Sequence, residues 1–159
     1  MTTKEKEIAH LIEKLNLVPH PEGGFYRETY RSEETKGNRN LMTSIYFLLT
    51  SEHVSHLHRI KSDELWYYHG GSPLIVHILD AFGHHEHIVG NDLEKGYFPQ
   101  FLVPKNTIFG STVLEKDSYS LVSCVVSPGF DFDDFELFKR DELLDAYPMH
   151  REIIERLTI

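Results

Sequence analysis

The stretch HLHRIKSDELWYYHGG, residues 56–71, decides how this chain of 159 residues folds. His56 and His58 are two positions apart, so on a β-strand their side chains point to the same face. The segment KSD is typical of a turn, after which Glu64 begins a neighbouring strand. The stretch therefore predicts two adjacent strands that bring two imidazoles and a carboxylate to one wall of the fold.

Short runs of β-branched and aromatic residues continue on both sides of this stretch. Nine runs, separated by turn residues such as KGN, GG and PGF, predict strands: FYRETY, LMTSIYFLL, HVSHLHRI, ELWYY, PLIVHIL, HEHIVG, QFLVP, TIFGSTVL and YSLVSCVV. No helical patterns alternate between them, which favours antiparallel sheets. We therefore predict a mainly β fold, a jelly-roll barrel over about residues 25–138, with a mouth wide enough for a small ligand.

Helical patterns flank the strands at both ends of the chain. Apolar residues at helical spacing, together with the capping-box pattern of Thr2 and Glu5, predict a helix over about residues 3–15. The segments RDELLDAY and MHREIIERL, separated by a proline, predict short helices within about residues 140–157. The length suits one domain that spans residues 1–159.

Charge and composition argue against several partners and locations. The formal net charge is −9 and no basic patch stands out, so nucleic acid is a poor partner. No apolar run reaches the roughly 20 residues of a membrane helix, and MTTKEKEIAH carries charges where a secretion signal is apolar. We expect a cytoplasmic protein with no membrane partner. The single cysteine, Cys124, excludes an intrachain disulfide, and its apolar setting favours a buried thiol.

The residue types at the centre of this stretch are those of a metal site. His56, His58 and Glu64 are a ligand set that suits a first-row divalent ion such as Fe, Mn, Ni or Zn. The alternative is that one histidine is a structural hydrogen-bonding residue and the other lies at the surface. Spacing alone leaves both interpretations open.

The order of these residues resembles the first motif of the cupin superfamily, which runs HxH, a short gap, Glu, six residues, then Gly. His56, His58, Glu64 and Gly71 follow that order. Two departures matter: five residues rather than three or four separate His58 from Glu64, and Thr50 replaces the opening glycine.

The second cupin motif, P-x-G-x-x-H, supplies the fourth metal ligand in that superfamily. The matching segment PKNTIF has Pro104 at its start, Asn106 in place of the glycine, and Phe109 in place of the histidine. Asparagine tolerates the left-handed conformation that the glycine adopts, but phenylalanine cannot bind a metal. A metal-dependent enzyme would need a substitute ligand, for which His69 and His77 are the candidates near in sequence. We therefore favour no cofactor, with a divalent transition metal as the alternative.

A closer resemblance extends over residues 20–138. The segments HPEGGFYRETYRS, HRIKSDELWYYHGGSPL, GYFPQFLVP and CVVSPGFDFDDFEL are similar to the uncharacterised cupin family labelled domain of unknown function 985. This resemblance implies a double-stranded β-helix, a homodimer and no secure activity. The constant features of that family correspond here to Glu22, Gly23, Gly24, His58, Asp63, Glu64, Trp66, Pro99, Gln100, Pro128, Gly129 and Phe130. His56 occupies a variable position, which weakens the metal interpretation.

Three classes of function stay open for such a fold, because cupins host all of them. A metal-dependent enzyme of the dioxygenase type would use the two histidines and the glutamate. A metal-free isomerase or epimerase with a sugar-like substrate would need a histidine base and a tyrosine acid, and His58 with Tyr26, Tyr46 or Tyr68 would supply them. A non-catalytic binding protein would need only the pocket.

We favour a small-molecule-binding cupin with metal-free acid/base chemistry. His58 is the predicted base, and Glu64 is predicted to orient it or to accept a substrate hydroxyl. The predicted ligand-binding residues are Tyr26, Glu28, Tyr46, Trp66, Tyr68 and Gln100.

Two other segments have simpler interpretations. PEGG, with Gly23 and Gly24, predicts a tight turn that enters the barrel. GHHEH, residues 83–87, packs three histidines around a glutamate and would suit adventitious metal capture, but we interpret it as a solvated hairpin tip.

Overall fold

The computed structural model describes all 159 residues. It contains three α-helices, which are α1 (Thr3–Lys14), α2 (Arg140–Ala146) and α3 (Arg151–Arg156). It also contains thirteen strands, which are β1 (Val18–Pro19), β2 (Phe25–Arg31), β3 (Thr35–Lys36), β4 (Arg39–Asn40), β5 (Thr43–Thr50), β6 (Ser55–Arg59), β7 (Asp63–Gly71), β8 (Leu74–Asp80), β9 (Gly83–Val89), β10 (Gln100–Val103), β11 (Ile108–Val113), β12 (Tyr119–Ser127) and β13 (Glu136–Leu137). Short 3-10 turns lie at Leu93–Lys95, Phe132–Asp134 and Pro148–His150.

The strands form two main antiparallel sheets. The six-stranded sheet has the order β1-β2-β5-β12-β7-β10, and the five-stranded sheet has the order β13-β6-β11-β8-β9. The pair β3-β4 forms a separate ribbon. Each of the nine predicted runs overlaps one of the nine longer strands, so the predicted mainly β architecture is confirmed. The four strands of two residues each are absent from the prediction, because two residues are too few to show an alternation of side chains.

The main hydrophobic core brings together side chains from both sheets. It consists of Phe47, Leu49, Trp66, Leu74, Val76, Ile78, Val89, Val103, Phe109, Val113, Val122 and Cys124. In β12, buried and half-buried residues alternate over most of the strand, as expected of a strand with one face on the core. Burial of each large apolar side chain contributes about 1.5–3 kcal/mol, so this core is the main source of stability.

The helices cover the outside of the sheets. The Thr2 hydroxyl accepts from the Glu5 backbone N–H at 3.1 Å, and the Glu5 carboxylate accepts from the Thr2 N–H, so the capping box is present. Helices α2 and α3 pack on the five-stranded sheet through a second apolar cluster of Leu57, Leu79, Ile108, Leu143, Ile154 and Leu157. None of the helices is long and apolar enough to cross a bilayer.

The turn between β10 and β11 contains the asparagine that replaces the motif glycine. Asn106 has a φ of 62°, in the left-handed region, and its N–H donates to the Ile60 carbonyl at 2.9 Å. The expected tolerance of asparagine for this conformation is confirmed. Asn106 therefore adopts the backbone conformation of the motif glycine, and Phe109, three residues later, is buried in the core.

Candidate functional site

A cavity of about 410 Å³ opens near the strand ends that carry Arg31, Thr43 and Glu64. Its wall is formed by His20, Glu22, Tyr26, Glu28, Arg31, Thr43, Ile45, Phe47, His58, Ile60, Glu64, Trp66, Cys124, Val126, Phe130, Asp131 and Phe132. Apolar side chains and a few ionisable groups share this wall, which is the usual composition of a small-molecule site.

Strand register explains why residues so distant in sequence share one wall. Four neighbouring strands, β2, β5, β12 and β7, contribute side chains in rows across the sheet. One row is Glu28, Ile45, Cys124 and Trp66, and the next is Arg31, Thr43, Val126 and Glu64. The side chains in these rows face the same side of the sheet, and His58 enters the cavity from β6 of the other sheet.

Glu22 and His58 form a buried ion pair in this wall. His58 Nε2 lies 2.8 Å from Glu22 Oε2, and the two side chains are only 4% and 9% exposed, respectively. His58 Nδ1 lies 2.7 Å from the His56 carbonyl oxygen, so both ring nitrogens face acceptors, as in an imidazolium. Burial opposes both charges, but the Glu22 charge raises the pKa of His58, and the His58 charge lowers the pKa of Glu22.

Glu64 lies in the same wall but carries the opposite protonation state from Glu22. Burial, together with the negative charge of Glu22, raises the pKa of Glu64 to about 8. At neutral pH Glu64 is therefore a neutral carboxylic acid that can donate a proton, whereas Glu22 is a carboxylate. Two carboxyl groups whose environments separate their pKa values in this way are a recurring arrangement in acid/base sites.

A glycine turn places Glu22 against β6. Gly23 has a φ of 112°, and a Cβ at this position would lie 2.1 Å from the Val54 carbonyl oxygen. Only glycine allows this approach, which lets the His56 N–H donate to the Glu22 carbonyl at 2.7 Å. The backbone contact fixes Glu22 beside His58, so the turn positions the ion pair.

His20 adds a neutral imidazole to the wall. The Glu22 N–H donates to His20 Nδ1 at 3.1 Å, which leaves the proton of the neutral ring on Nε2. Burial lowers the pKa of His20, and its ring packs edge-on against Tyr26 with centroids 4.5 Å apart. At neutral pH this side chain is therefore a hydrogen-bond donor without a charge.

Trp66 and Cys124 lie side by side on paired strands of the cavity wall. The Trp66 indole N–H is buried and makes no hydrogen bond of normal geometry, although the Glu64 carboxyl lies close enough to interact with it. An unmatched buried donor costs about 1–3 kcal/mol, so an acceptor on a ligand or a water would be favoured at this atom. Burial raises the pKa of the Cys124 thiol well above its usual value, which leaves it protonated and a poor nucleophile.

The mouth of the cavity is held by two arginines. Arg31 donates to both carboxylate oxygens of Glu28, at 2.7 and 3.2 Å, and to the Phe130 carbonyl at 3.0 Å. Arg39 binds the Asp134 carboxylate on the same aromatic segment. These contacts hold the segment that follows β12 over the cavity.

The predicted site residues divide into two groups. The cavity wall contains His58, Glu64, Tyr26, Glu28 and Trp66.

Three others lie outside the wall. Tyr46 lies between two cavity-facing residues of β5, so its side chain points to the opposite face, with its ring centroid 6.1 Å from that of His69. Tyr68 packs against the main core, and its hydroxyl donates to the Gly71 carbonyl at 2.5 Å. Gln100 is exposed on the edge strand β10.

Three residues of the wall, His20, Glu22 and Arg31, are not among the site residues predicted from the sequence. Glu22 was attributed only to a turn, although a carboxylate next to two glycines is a constant feature of the resembled family. That signal could have identified Glu22. No local pattern points to His20 or Arg31, because only the packing of the turn and the strand register bring them to the cavity.

Comparison with known proteins identifies the family. A family profile described as Cupin superfamily (DUF985) matches residues 9–138. The chain belongs to this cupin family. A solved protein from Shewanella oneidensis is 47% identical, with 94% of this chain and 96% of that chain covered and a TM-score of 0.90. A hypothetical protein from Leishmania major is 42% identical, with coverage of 94% and 97% and a TM-score of 0.89.

Two more distant matches extend the comparison. An uncharacterised protein of Saccharomyces cerevisiae is 29% identical over an alignment of 174 positions, which covers 91% of this chain and 81% of that protein. An oxalate decarboxylase variant from Bacillus subtilis is 17% identical, with a TM-score of 0.59, and the match covers 92% of this chain and 38% of that one. The second likeness shows the fold alone, and it confirms the predicted jelly-roll barrel.

The cavity of this cupin does not fit the metal site of the superfamily. His56 is absent from the wall, and its Nδ1 lies 2.8 Å from the Glu22 carbonyl oxygen. Phe109 packs in place of the fourth ligand, with its ring centroid 4.2 Å from that of His58. Both ring nitrogens of His58 already face acceptors, and the ligand atoms of His56, His58 and Glu64 do not form a group within 4.8 Å of one another.

The two candidate substitute ligands lie elsewhere. His69 is exposed on β7, with its Nε2 2.6 Å from the Ser123 hydroxyl. His77 lies under the C-terminal helices and not in the cavity wall. With His84 and Glu86 it forms a group of three metal-ligand atoms within 4.8 Å of one another. The cupin therefore has a His-His-Glu group, but outside its cavity.

Proposed function

We propose that this cupin binds a small polar molecule in its cavity and catalyses metal-free proton transfer on it, as an isomerase or epimerase does. The observation that carries the proposal is the difference between two buried carboxyl groups in one wall. Glu64 is protonated at neutral pH, whereas Glu22 is ionised and paired with His58. Two carboxyl groups in opposite protonation states can act as the acid and the base of a proton transfer.

The proposed ligand carries hydroxyl and carbonyl groups, as a sugar-like molecule does. The wall offers donors at Glu64, at His20 and at the Trp66 indole, which makes no hydrogen bond of normal geometry, and acceptors at Glu22. The half-buried ring of Tyr26 and the apolar side chains would contact the carbon skeleton. Glu28 at the mouth is already bound by an arginine and would contact only a ligand that extends outward.

The proposed reaction assigns one role to each carboxyl group. Glu64 donates its proton to a ligand carbonyl oxygen while Glu22 takes a proton from the adjacent carbon, which gives an enediol. Return of a proton to the other carbon, with loss of the hydroxyl proton, gives the isomer. We assign the base to Glu22 rather than to His58, because both nitrogens of His58 face acceptors.

The test begins with the ligand. Native mass spectrometry of the purified protein, followed by thermal melts against a panel of sugars and sugar-like ketones, should identify a bound molecule. Proton NMR in D2O should then show deuterium entering the carbon next to its carbonyl. Glu64→Gln and Glu22→Gln should each slow the exchange about 100-fold or more, which is the usual range for the loss of an acid or base.

The matched control is Tyr46→Phe, which removes a hydroxyl from the opposite face of the same wall. This variant should exchange deuterium like the parent. Binding without exchange in the parent would reject the catalytic proposal and leave a non-catalytic binding protein. The proposal of a cavity ligand fails if no molecule co-purifies with the parent and no ligand in the panel raises its melting temperature.

We also propose a homodimer located in the cytoplasm, with no nucleic-acid partner. Support for the dimer is the family resemblance and the edge strand β10, where Leu102 is 45% exposed. The net charge of −9 supports the absence of a nucleic-acid partner, and the single free, buried cysteine supports a cytoplasmic location. Light scattering should give twice the 18.5 kDa of one chain. Cell fractionation tests the location, with a cytoplasmic reductase as the marker. A mass of one chain would contradict the dimer.

A further inference from the structure

A second cluster of ionisable side chains lies on the opposite side of the five-stranded sheet from the main core. Strands β8 and β9 pair there in antiparallel register, with His77 opposite Glu86 and Leu79 opposite His84. Because side chains alternate along a strand, these residues share one face. Gly83–Val89 is therefore a paired strand, and the interpretation of GHHEH as a solvated hairpin tip is wrong.

The ligand atoms of this cluster are already close to a metal-binding arrangement. His77 Nδ1 and His84 Nε2 are 2.9 Å apart, and Glu86 Oε1 lies 3.9 Å from the first and 4.0 Å from the second. Zinc with bonds of about 2.0–2.1 Å at tetrahedral angles separates its ligand atoms by roughly 3.3 Å. Shifts of under about 1 Å in each separation would therefore admit an ion.

The most buried ligand is held in place by an outer hydrogen bond. His77 is 1% exposed, and its Nε2 lies 2.8 Å from the Thr112 hydroxyl on β11. When this ring donates its Nε2 proton to Thr112, its Nδ1 lone pair points toward His84 and Glu86. An outer acceptor that fixes the ring and its tautomer accompanies most metal-binding histidines.

The remaining coordination positions face open space. A pocket of about 330 Å³ adjoins the cluster, and His84 and Glu86 form part of its wall. The other wall residues include His150 and Glu152, near the start of α3, and Arg156 near its end. The carboxylates of Glu86 and Glu152 outnumber the one guanidinium, that of Arg156, so the charge of the pocket favours a cation. The opening of the pocket gives an ion access to the cluster and room for water ligands.

We propose that His77, His84 and Glu86 form a binding site for a first-row divalent transition-metal ion of the Zn²⁺ type. Two imidazoles and one carboxylate match the nitrogen and oxygen preference of such ions, and three protein ligands leave room for water. The bound ion links β8 to β9 at the margin of the C-terminal helices. The site is separate from the cavity and does not depend on the function proposed for it.

The experiment measures Zn²⁺ binding to the full-length protein after it has been stripped of metal with a chelator and dialysed. Competition with a chromophoric chelator should show one tightly bound equivalent at micromolar protein. Zn²⁺ should also raise the melting temperature, because an ion that binds only the folded state stabilises it. Co²⁺ should give the visible absorption bands of a site with nitrogen ligands.

Variants locate the ion. His84→Ala and Glu86→Gln change partly exposed side chains and should each weaken Zn²⁺ binding about 100-fold or more, while Thr112→Val should weaken it about 10- to 100-fold. The matched control is His85→Ala, which removes a histidine from the other face of the same strand and should bind like the parent. Three results would each overturn the proposal: unchanged binding by His84→Ala, an equal loss in His85→Ala, or a loss on Glu64→Gln, which would place the ion in the cavity.

Discussion

Replacement of Glu64 by glutamine should change how the stability of the protein depends on pH. Glutamine has nearly the shape of a protonated glutamate, so the variant mimics the state that Glu64 holds at neutral pH. Its amide has no proton to lose on unfolding. The difference between the two proteins therefore reports the ionisation of Glu64 together with its coupling to the Glu22–His58 pair, which both proteins contain.

The sign and size of the effect follow from the pKa of Glu64. Its pKa is about 8 in the folded protein and 4.5 for an unperturbed side chain. Between these values the folded state holds one proton more than the unfolded chain, so stability falls as the pH rises. Each pKa unit corresponds to about 1.36 kcal/mol, so from about pH 5 to about pH 8 the parent should lose about 4 kcal/mol relative to Glu64→Gln.

The assay is urea unfolding at four pH values across this window, followed by the fluorescence of Trp66, the single tryptophan of the chain and a neighbour of Glu64 in the cavity wall. The variant should become the more stable protein toward the alkaline end. Glu33→Gln, at an exposed position, is the control and should track the parent. Parallel curves for the parent and Glu64→Gln would show that Glu64 is ionised when folded, and its role as an acid would then be refuted.

Three further predictions concern the same wall. His58→Ala leaves the Glu22 carboxylate buried without a partner, so urea unfolding should show a loss of about 3–5 kcal/mol, and a loss below about 1 kcal/mol would contradict a buried ion pair. Gly23→Ala would place a Cβ 2.1 Å from the Val54 carbonyl oxygen at a φ of 112°. This variant should lose about 1–3 kcal/mol or more of unfolding free energy, which a thermal melt would show as a lower melting temperature. The Cys124 thiol should react with Ellman's reagent only after unfolding, and rapid reaction of the native protein would show that the thiol is accessible.

The strands and the polar wall differ in how far they could be predicted. Alternation along each strand is local, so nine runs of residues are sufficient to locate the nine longer strands. His58 and Glu64 were identified because they lie in one motif. Tyr46 was grouped with the ligand-binding residues by its type, although its neighbours on β5, Ile45 and Phe47, occupy the cavity face.

The parts that could not be predicted depend on distant contacts. Glu22 meets His58 only because Gly23 lets the turn approach Val54, and nothing in the turn itself encodes that partner. The protonation of Glu64 follows from its burial and from the nearby Glu22 charge. The cluster on β8 and β9 is likewise not visible in GHHEH alone, because its most buried histidine, His77, lies on the preceding strand.

The position of β12 in the six-stranded sheet has a consequence for folding. It is the last of the long strands, yet it lies between β5 and β7, with Tyr119 opposite Thr50 and Val126 opposite Thr43. Contacts between such distant parts of the chain form slowly, because the entropy of loop closure is lost before the contacts are gained. A chain that has not inserted β12 lacks Cys124 and Val126 and so has no closed cavity wall. A cavity ligand should therefore slow the unfolding of this protein without accelerating its folding.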